Sequence, residues 1–413
     1  MERYICCIVY FKFILRYHPF RVSFILVFAL VQGCQSPQEA PTFGSESSFN
    51  YQSPSFAQGF RWKILAAPPA QEPISCLEIF DVAFEHIETT VYRDSIAFNL
   101  DSCPSGERVV LRGVSNEDFQ TQTSRQRSKL ATLSTTHVAL LEAWDDSLEH
   151  WAGGSFVDYI QSDRAQLLLS QEEAINYGGN PEWDLEMLIS HQPAALCIYP
   201  FGNPINDASW ASMIPIVPIL EYLEPHPLGR AEWMKALGWL VNDSAWHRSN
   251  LAFDEIARKY ESIRNSNRNH DEFRVFTGSV EQGEWHAPGG GSFIATLLRD
   301  AGVTYVFDDR LGRENVRIPL EEMIEIGTQA DAWGLVLQHA GDSLTIESLL
   351  QKDERNRLIL PNTRRVFAAN TTQCDYFGWW VARPDAMLEN LTCLFGEDSC
   401  VMDSEPCFNW LPE

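Results

Sequence analysis

Beyond the first 34 residues, this 413-residue sequence has no apolar run near the roughly 18 residues a membrane-spanning helix needs, which excludes a multi-pass membrane protein. Basic residues are scarce: 31 Lys and Arg stand against 56 Asp and Glu, a formal charge of −25. Residues 1–33 hold four of the basic residues and one acid, so the remainder carries 27 basic against 55 acidic groups, or −28. Such a surface repels phosphate backbones, and nucleic acid is excluded as an expected partner. Signatures of catalysis are missing too. The ten histidines are scattered, and none forms His-Glu-x-x-His or joins a Cys-x-x-Cys array, so no resident metal is expected. The nearest approach to a Gly-x-Ser-x-Gly elbow, Gly290-Gly-Ser-Phe-Ile294, fails at its last position. No Walker lysine follows the glycines at 289–291, which excludes an NTP-binding loop. The expectation is a protein that is not an enzyme and holds no cofactor.

What is present is ordinary globular composition: 45% hydrophobic, 21% charged and 12% aromatic residues, too many aromatics to stay solvated in a disordered chain. The length suits two or three domains. Residues 1–33 read as an export signal, with Arg3, Lys12, Arg16 and Arg21 ahead of the apolar run Val22 to Val31. Gln32-Gly-Cys34 then resembles a lipobox, with Gln32 in place of the usual small residue, so Cys34 is the candidate lipidation site. The alternative is an ordinary secretory signal cleaved nearby. Residues 34–58, rich in Ser, Pro, Gly and Gln, would serve as a flexible spacer. Seven of the ten cysteines lie in the body. An exported protein meets an oxidising compartment, so structural pairs are expected, and the odd number leaves at least one thiol free.

The rest alternates strand and helix signals. Phe60 to Leu65 and Thr90 to Tyr92 read as peripheral strands. Lys129 to Leu133, a polar turn, and Val138 to Trp144 open a strand–helix unit. Leu185 to His191 reads as a helix and Ala194 to Tyr199 as a buried strand. Ile214 to Leu220 is a strand whose prolines place it near a sheet edge. From 229 to 265 there is no strand signal: Arg230 to Leu240 is one helix, and Asn242 or Asp243 can cap a second. Alternation then restarts, with strands at Phe273 to Phe276, Val303 to Phe307 and Ala332 to Leu337, and helices at Phe293 to Asp300 and Leu320 to Ile326. The boundaries are therefore a first α/β lobe over 59–228, a helical linker over 229–265 and a second α/β lobe over 266–413.

Four stretches carry a family resemblance: Leu133-Ser-Thr-Thr-His137, Ile219 through Trp233, Trp285-His-Ala-Pro-Gly-Gly-Gly-Ser292 and Asp300-Ala-Gly-Val-Thr-Tyr305. In order and spacing they resemble substrate-binding proteins of ABC importers, of the branch for iron–siderophores, haem and cobalamin. The resemblance implies two Rossmann-like lobes joined by a long α-helix, the class III periplasmic-binding-protein type. It further implies a monomeric, lipid-anchored receptor at the periplasmic or cell surface, delivering a metal-chelate or corrinoid ligand to a permease and its ATPase. Any iron or cobalt would belong to that ligand. The rival classes are an exported hydrolase working through Glu221 and Glu224, and a non-transporting sensor or scaffold of the same fold.

Ligand in that family lies between the lobes at the carboxyl ends of the strands. The matching first-lobe positions are Ser134, Thr135, Thr136 and His137, then Ser155 and Phe156, Tyr199 and Phe201, and Glu221 and Tyr222. The second lobe offers Trp285, Gly289, Gly290, Ser292, Arg310 and Trp379. Aromatics supply contact area at little entropy cost, and hydroxyls and amides fix orientation. The glycines suit either an anion cradle or a structural turn, and Trp285 suits either the cleft or the core. His137, His226 and His286 fall in loops, where plain hydrogen bonding is commoner than ligation. Glu186 and Glu321 match the acids that pair with permease arginines. Glu182 is expected on the helix face of Glu186, and Glu325 on that of Glu321.

Overall fold

The structure, a computed structural model, describes residues 54–65, 74–81, 86–92, 107–110, 129–179, 182–199, 214–267, 270–340, 344–396, 402 and 404–413. The expectations for residues 1–33, for the anchor Cys34 and for Phe201 lie outside the described residues.

The peripheral strands are β1 (Phe60–Leu65), β2 (Ile74–Asp81), β3 (His86–Tyr92) and β4 (Glu107–Val110). The first three pair antiparallel, and β4 joins β3 in parallel. This sheet leans on the linker through Phe60, 4.9 Å from the Trp233 ring, and Trp62, 5.6 Å from Trp246.

The first lobe runs β5 (Leu130–Thr132), α1 (Thr135–Glu142), β6 (Trp151–Gly154), α2 (Asp163–Ser170), β7 (Ile175–Asn176), β8 (Gly178–Gly179), β9 (Glu182–Trp183), α3 (Leu185–His191), β10 (Ala195–Ile198) and β11 (Ile216–Pro218). Its main sheet is all parallel in the order β11-β10-β5-β6-β7. The alternation of a strand buried on both faces divides the side chains. Leu130, Ala195, Cys197 and Val217 face the large core, while Ala131, Leu196 and Ile198 face a smaller one with Tyr177 and Leu188. Helices start where a short polar side chain accepts a free N–H: Ser134, Ser162 and Asp184 cap α1, α2 and α3. Proline-bearing β11 is the edge strand, as its sequence led us to expect.

The linker departs from one continuous rod. It is two helices, α4 (Pro227–Val241) and α5 (Asp243–Ser266). Asn242 separates them: its backbone is extended, and its side chain accepts from the Ala245 N–H, satisfying the new helix start. Thirteen of the fifteen residues of α4 are buried, so it is a core helix rather than a surface strut. α5 buries one stripe, including Trp246, Phe253, Ile256 and Tyr260. The two cross so closely that a β-carbon on Gly238 would stand 2.3 Å from Ser249 Oγ.

The second lobe runs β12 (His270–Thr277), β13 (Ser279–Glu281), β14 (Glu284–Pro288), α6 (Phe293–Asp300), β15 (Val303–Tyr305), β16 (Asn315–Ile318), α7 (Leu320–Gln329), β17 (Ala332–Leu337), α8 (Ile346–Lys352), α9 (Asn356–Ile359), β18 (Val366–Asn370), α10 (Trp379–Ala382), α11 (Pro384–Phe395) and β19 (Phe408–Trp410). Its main sheet, β15-β12-β17-β18-β19, is parallel except for β19; β13, β14 and β16 form a small antiparallel sheet beside it. A disulfide joins Cys374 to Cys407, Cys393 is also disulfide-bonded, and Cys197 is a free, buried thiol. Among the described residues no helix is long and apolar enough to cross a membrane.

Candidate functional site

The carboxyl ends of the first-lobe strands gather most of the positions singled out in that half of the sequence. After β5, Ser134 caps α1 and places Thr135, Thr136 and His137 in its first turn. After β6 come Ser155 and Phe156, the latter held at φ 55°. Tyr199 follows β10 and is 37% exposed. Glu221 and half-buried Tyr222 follow β11 in a short helical turn. Across the seam stands the loop after β18. Thr136 Oγ1 donates to the Phe377 carbonyl at 2.5 Å, and Gln161 Nε2 donates to that of Thr371 at 2.9 Å. Trp379, half-buried at the start of α10, donates its backbone N–H to the Asp375 carboxylate.

Three of these side chains are buried without hydrogen bonds. His137 is 0% exposed and neither ring nitrogen makes a hydrogen bond; its Nε2 faces Glu221 Oε2 at 3.5 Å. Ser155 Oγ and Glu221 Oε2 are likewise unpartnered. Each such group costs about 1–3 kcal/mol, and these three lie at strand ends of one sheet. A polar line continues from them toward the second lobe. Arg230, on α4, feels the charges of Glu221 and Tyr376, donates to the Tyr222 and Glu224 carbonyls, and lies 3.7 Å over the Phe293 ring of α6.

The electrostatics follow from burial. It pulls Arg230 down to about 10, with Glu221 opposing, so the guanidinium stays charged at neutral pH. It pushes the Tyr376 phenol up to about 12 against the pull of Arg230, and pushes the Cys197 thiol up with help from Glu221. Burial also raises Glu142 and Asp375, the first against a hydrogen bond from Ser162, the second against the Trp379 and Gly378 N–H groups. Arg230 escaped the sequence reading. Within α4 an arginine looks like any linker residue, and only the fold turns it to the seam.

The second-lobe positions fare differently. Trp285, on β14, is fully buried between Phe276 and Trp333, and its indole N–H donates to the Thr277 carbonyl at 3.0 Å. The structure therefore places it in the core. The glycine run is a turn: Gly289, Gly290 and Gly291 donate their N–H groups to the carbonyls of Glu314, Arg310 and Gly312. Ser292 caps α6, accepting from the Ala295 N–H. A β-carbon on Gly290 would lie 2.2 Å from the Asp308 carbonyl oxygen, so only glycine permits that approach. Arg310 is exposed and paired with Glu322. His226 caps α4 and packs against Phe56, while His286 lies on β14.

Glu186 and Glu321 are exposed in the first turns of α3 and α7. Glu182 does not share a helix with Glu186, because it lies in β9, ahead of the Asp184 cap. Elsewhere in the first lobe, Asp145, Glu149 and His150 bring ligand-type atoms within 4.8 Å of one another, beside a cavity of about 510 Å³. Arg248 stands 2.9 Å from His150 Nε2 and 3.5 Å from Glu149, so a cationic side chain already fills that position.

The periplasmic haem-binding protein HutB of Vibrio cholerae superposes on 65% of this chain and over 100% of its own, with a TM-score of 0.52 at 11% identity. The chain has the class III periplasmic-binding-protein fold. In sequence, 217 residues are 25% identical to an uncharacterised lipoprotein of Methanocaldococcus jannaschii, covering 50% of this chain. The chain spans about half the length, 51%, of that curated relative. No protein-family model matches. In the binding-protein fold the seam between lobes, at the strand ends just described, is the topological place for a ligand.

Proposed function

We propose that this protein is an extracytoplasmic, lipid-anchored receptor that binds a metal chelate or corrinoid between its lobes and delivers it unaltered to an ABC permease. The observation that carries this reading is the trio of buried groups without hydrogen bonds, His137, Ser155 Oγ and Glu221 Oε2, at the first-lobe strand ends. A polar guest meeting them would recover free energy that the empty protein forgoes. Aromatic area from Tyr199, Tyr222, Phe377 and Trp379 suits a large, flat molecule. The resemblance in sequence and the superposing haem-binding protein support the same ligand class, and the lipoprotein relative supports the anchor at Cys34. Glu186 and Glu321 are the docking residues; both stay free to meet arginines on a partner. A hydrolase built on Glu221 and Glu224 is disfavoured, because both Glu224 oxygens already accept hydrogen bonds from Gln58 and one also from Gly59 and the Trp233 indole.

The test is a thermal-shift panel of haem, cobalamin and ferric siderophores on the purified protein. One class should raise the midpoint, by an amount growing with the logarithm of concentration, as binding to the folded state alone requires. Glu186→Arg with Glu321→Arg should keep that shift and abolish uptake in cells. A panel without any shift would sink the receptor reading, and normal uptake by the double variant would remove the docking pair.

A further inference from the structure

Five successive residues upstream of β1 are gripped by two buried carboxylates. The N–H groups of Ser55, Phe56 and Ala57 donate to Glu232 at 2.9, 2.7 and 2.8 Å. Those of Gln58 and Gly59 donate to Glu224 at 2.9 and 2.7 Å. Glu232, on α4, is 0% exposed and Glu224 is 1% exposed. Side chains extend the grip. Phe56 packs on His226 and Phe253, 5.2 and 6.1 Å between ring centroids, and the Gln58 carboxamide accepts from Arg313 of the second lobe at 3.2 Å. This short segment thus touches the end of the first lobe, both linker helices and the second lobe.

Two buried carboxylates are costly unless charge-assisted hydrogen bonds satisfy them. Lys235 serves one oxygen of Glu232 and the Trp233 indole one of Glu224. The remaining donors come from residues 55–59. Without them α4, the buried centre of the linker, would carry undersatisfied charge, and the interlobe crossing would loosen.

We infer that residues 55–59 form a strap that braces the hinge: the segment leading in from the spacer sets the stiffness of the interlobe seam. The brace belongs to the fold and stands whether or not the ligand reading does. A displacement of the spacer is therefore felt first at the hinge rather than at either lobe.

Hydrogen exchange of the full-length protein, followed by mass spectrometry, tests this. Gln58→Pro deletes one N–H that Glu224 accepts, together with the carboxamide that meets Arg313, and leaves both carboxylates in place. Exchange should rise about tenfold in residues 227–266 and in the seam segments 135–142 and 371–379, with β10 and β17 unchanged. Arg313→Ala, an exposed substitution that severs only the second-lobe contact, should speed the 371–379 segment about threefold, and it carries the test if Gln58→Pro does not fold. Faster exchange confined to residues 54–59, or none at all in Arg313→Ala, would overturn the brace.

Discussion

The two lobes end their parallel strands in opposite ways. In the second lobe the glycine turn donates to the 310–314 carbonyls, Trp285 to Thr277, and the Tyr305 hydroxyl to Pro288. In the first lobe His137, Ser155 Oγ and Glu221 Oε2 are buried without hydrogen bonds, and His137 and Glu221 face each other at 3.5 Å. Internal satisfaction marks architecture; its absence, where a fold can least tolerate it, marks a place kept for something else. The contrast also divides the roles. Under the receptor reading proposed above, one side would be a finished wall and the other would hold the recognition chemistry.

Three substitutions would break or sharpen that contrast. The largest effect belongs to Gly290→Ala, which drives a β-carbon into the Asp308 carbonyl; a loss of about 3 kcal/mol in chemical denaturation is expected. A loss below roughly 1 kcal/mol would mean the turn has slack and can rearrange around a guest. Next is Trp285→Phe, which removes one hydrogen bond and some core volume, for about 1–2 kcal/mol. Ligand affinity, read with whichever compound shifts the melting midpoint, should not change; a tenfold loss would return Trp285 to the site. The smallest effect is the most telling. Ser155→Ala removes an unpartnered hydroxyl, so the empty protein should gain up to about 1 kcal/mol while affinity falls roughly tenfold. If the empty protein is instead destabilised, the hydroxyl has an internal partner and the contrast between lobes fails.

Much of this architecture was legible in the sequence. The strand Ala332–Leu337 is bounded as its apolar run suggests, Ser292 caps the helix that opens at Phe293, and Asn242 starts a second linker helix. These are local signals, carried by neighbours within four residues. What stayed hidden is long-range. The strap pairs residues 165–177 positions apart, and nothing near Glu224 or Glu232 announces it. Trp285 reads alike in a core and in a cleft, because an aromatic residue on a short strand suits either. Glu182 was misplaced because a two-residue strand before a helix leaves no period to detect. Arg230 and Tyr376, 146 positions apart, meet only after both lobes have closed on α4.

One consequence of the linker remains. α4 is enclosed on nearly every side, so prising the halves apart by bending it means exposing apolar interior, not merely swinging a loop. Spontaneous gaping should then be infrequent, and residence times long, governed by collective motions of microseconds or slower rather than by rotamer flips. If the chain is the receptor proposed above, unloading becomes the demanding half of the cycle. A partner that grips both halves at once is suited to supply the work.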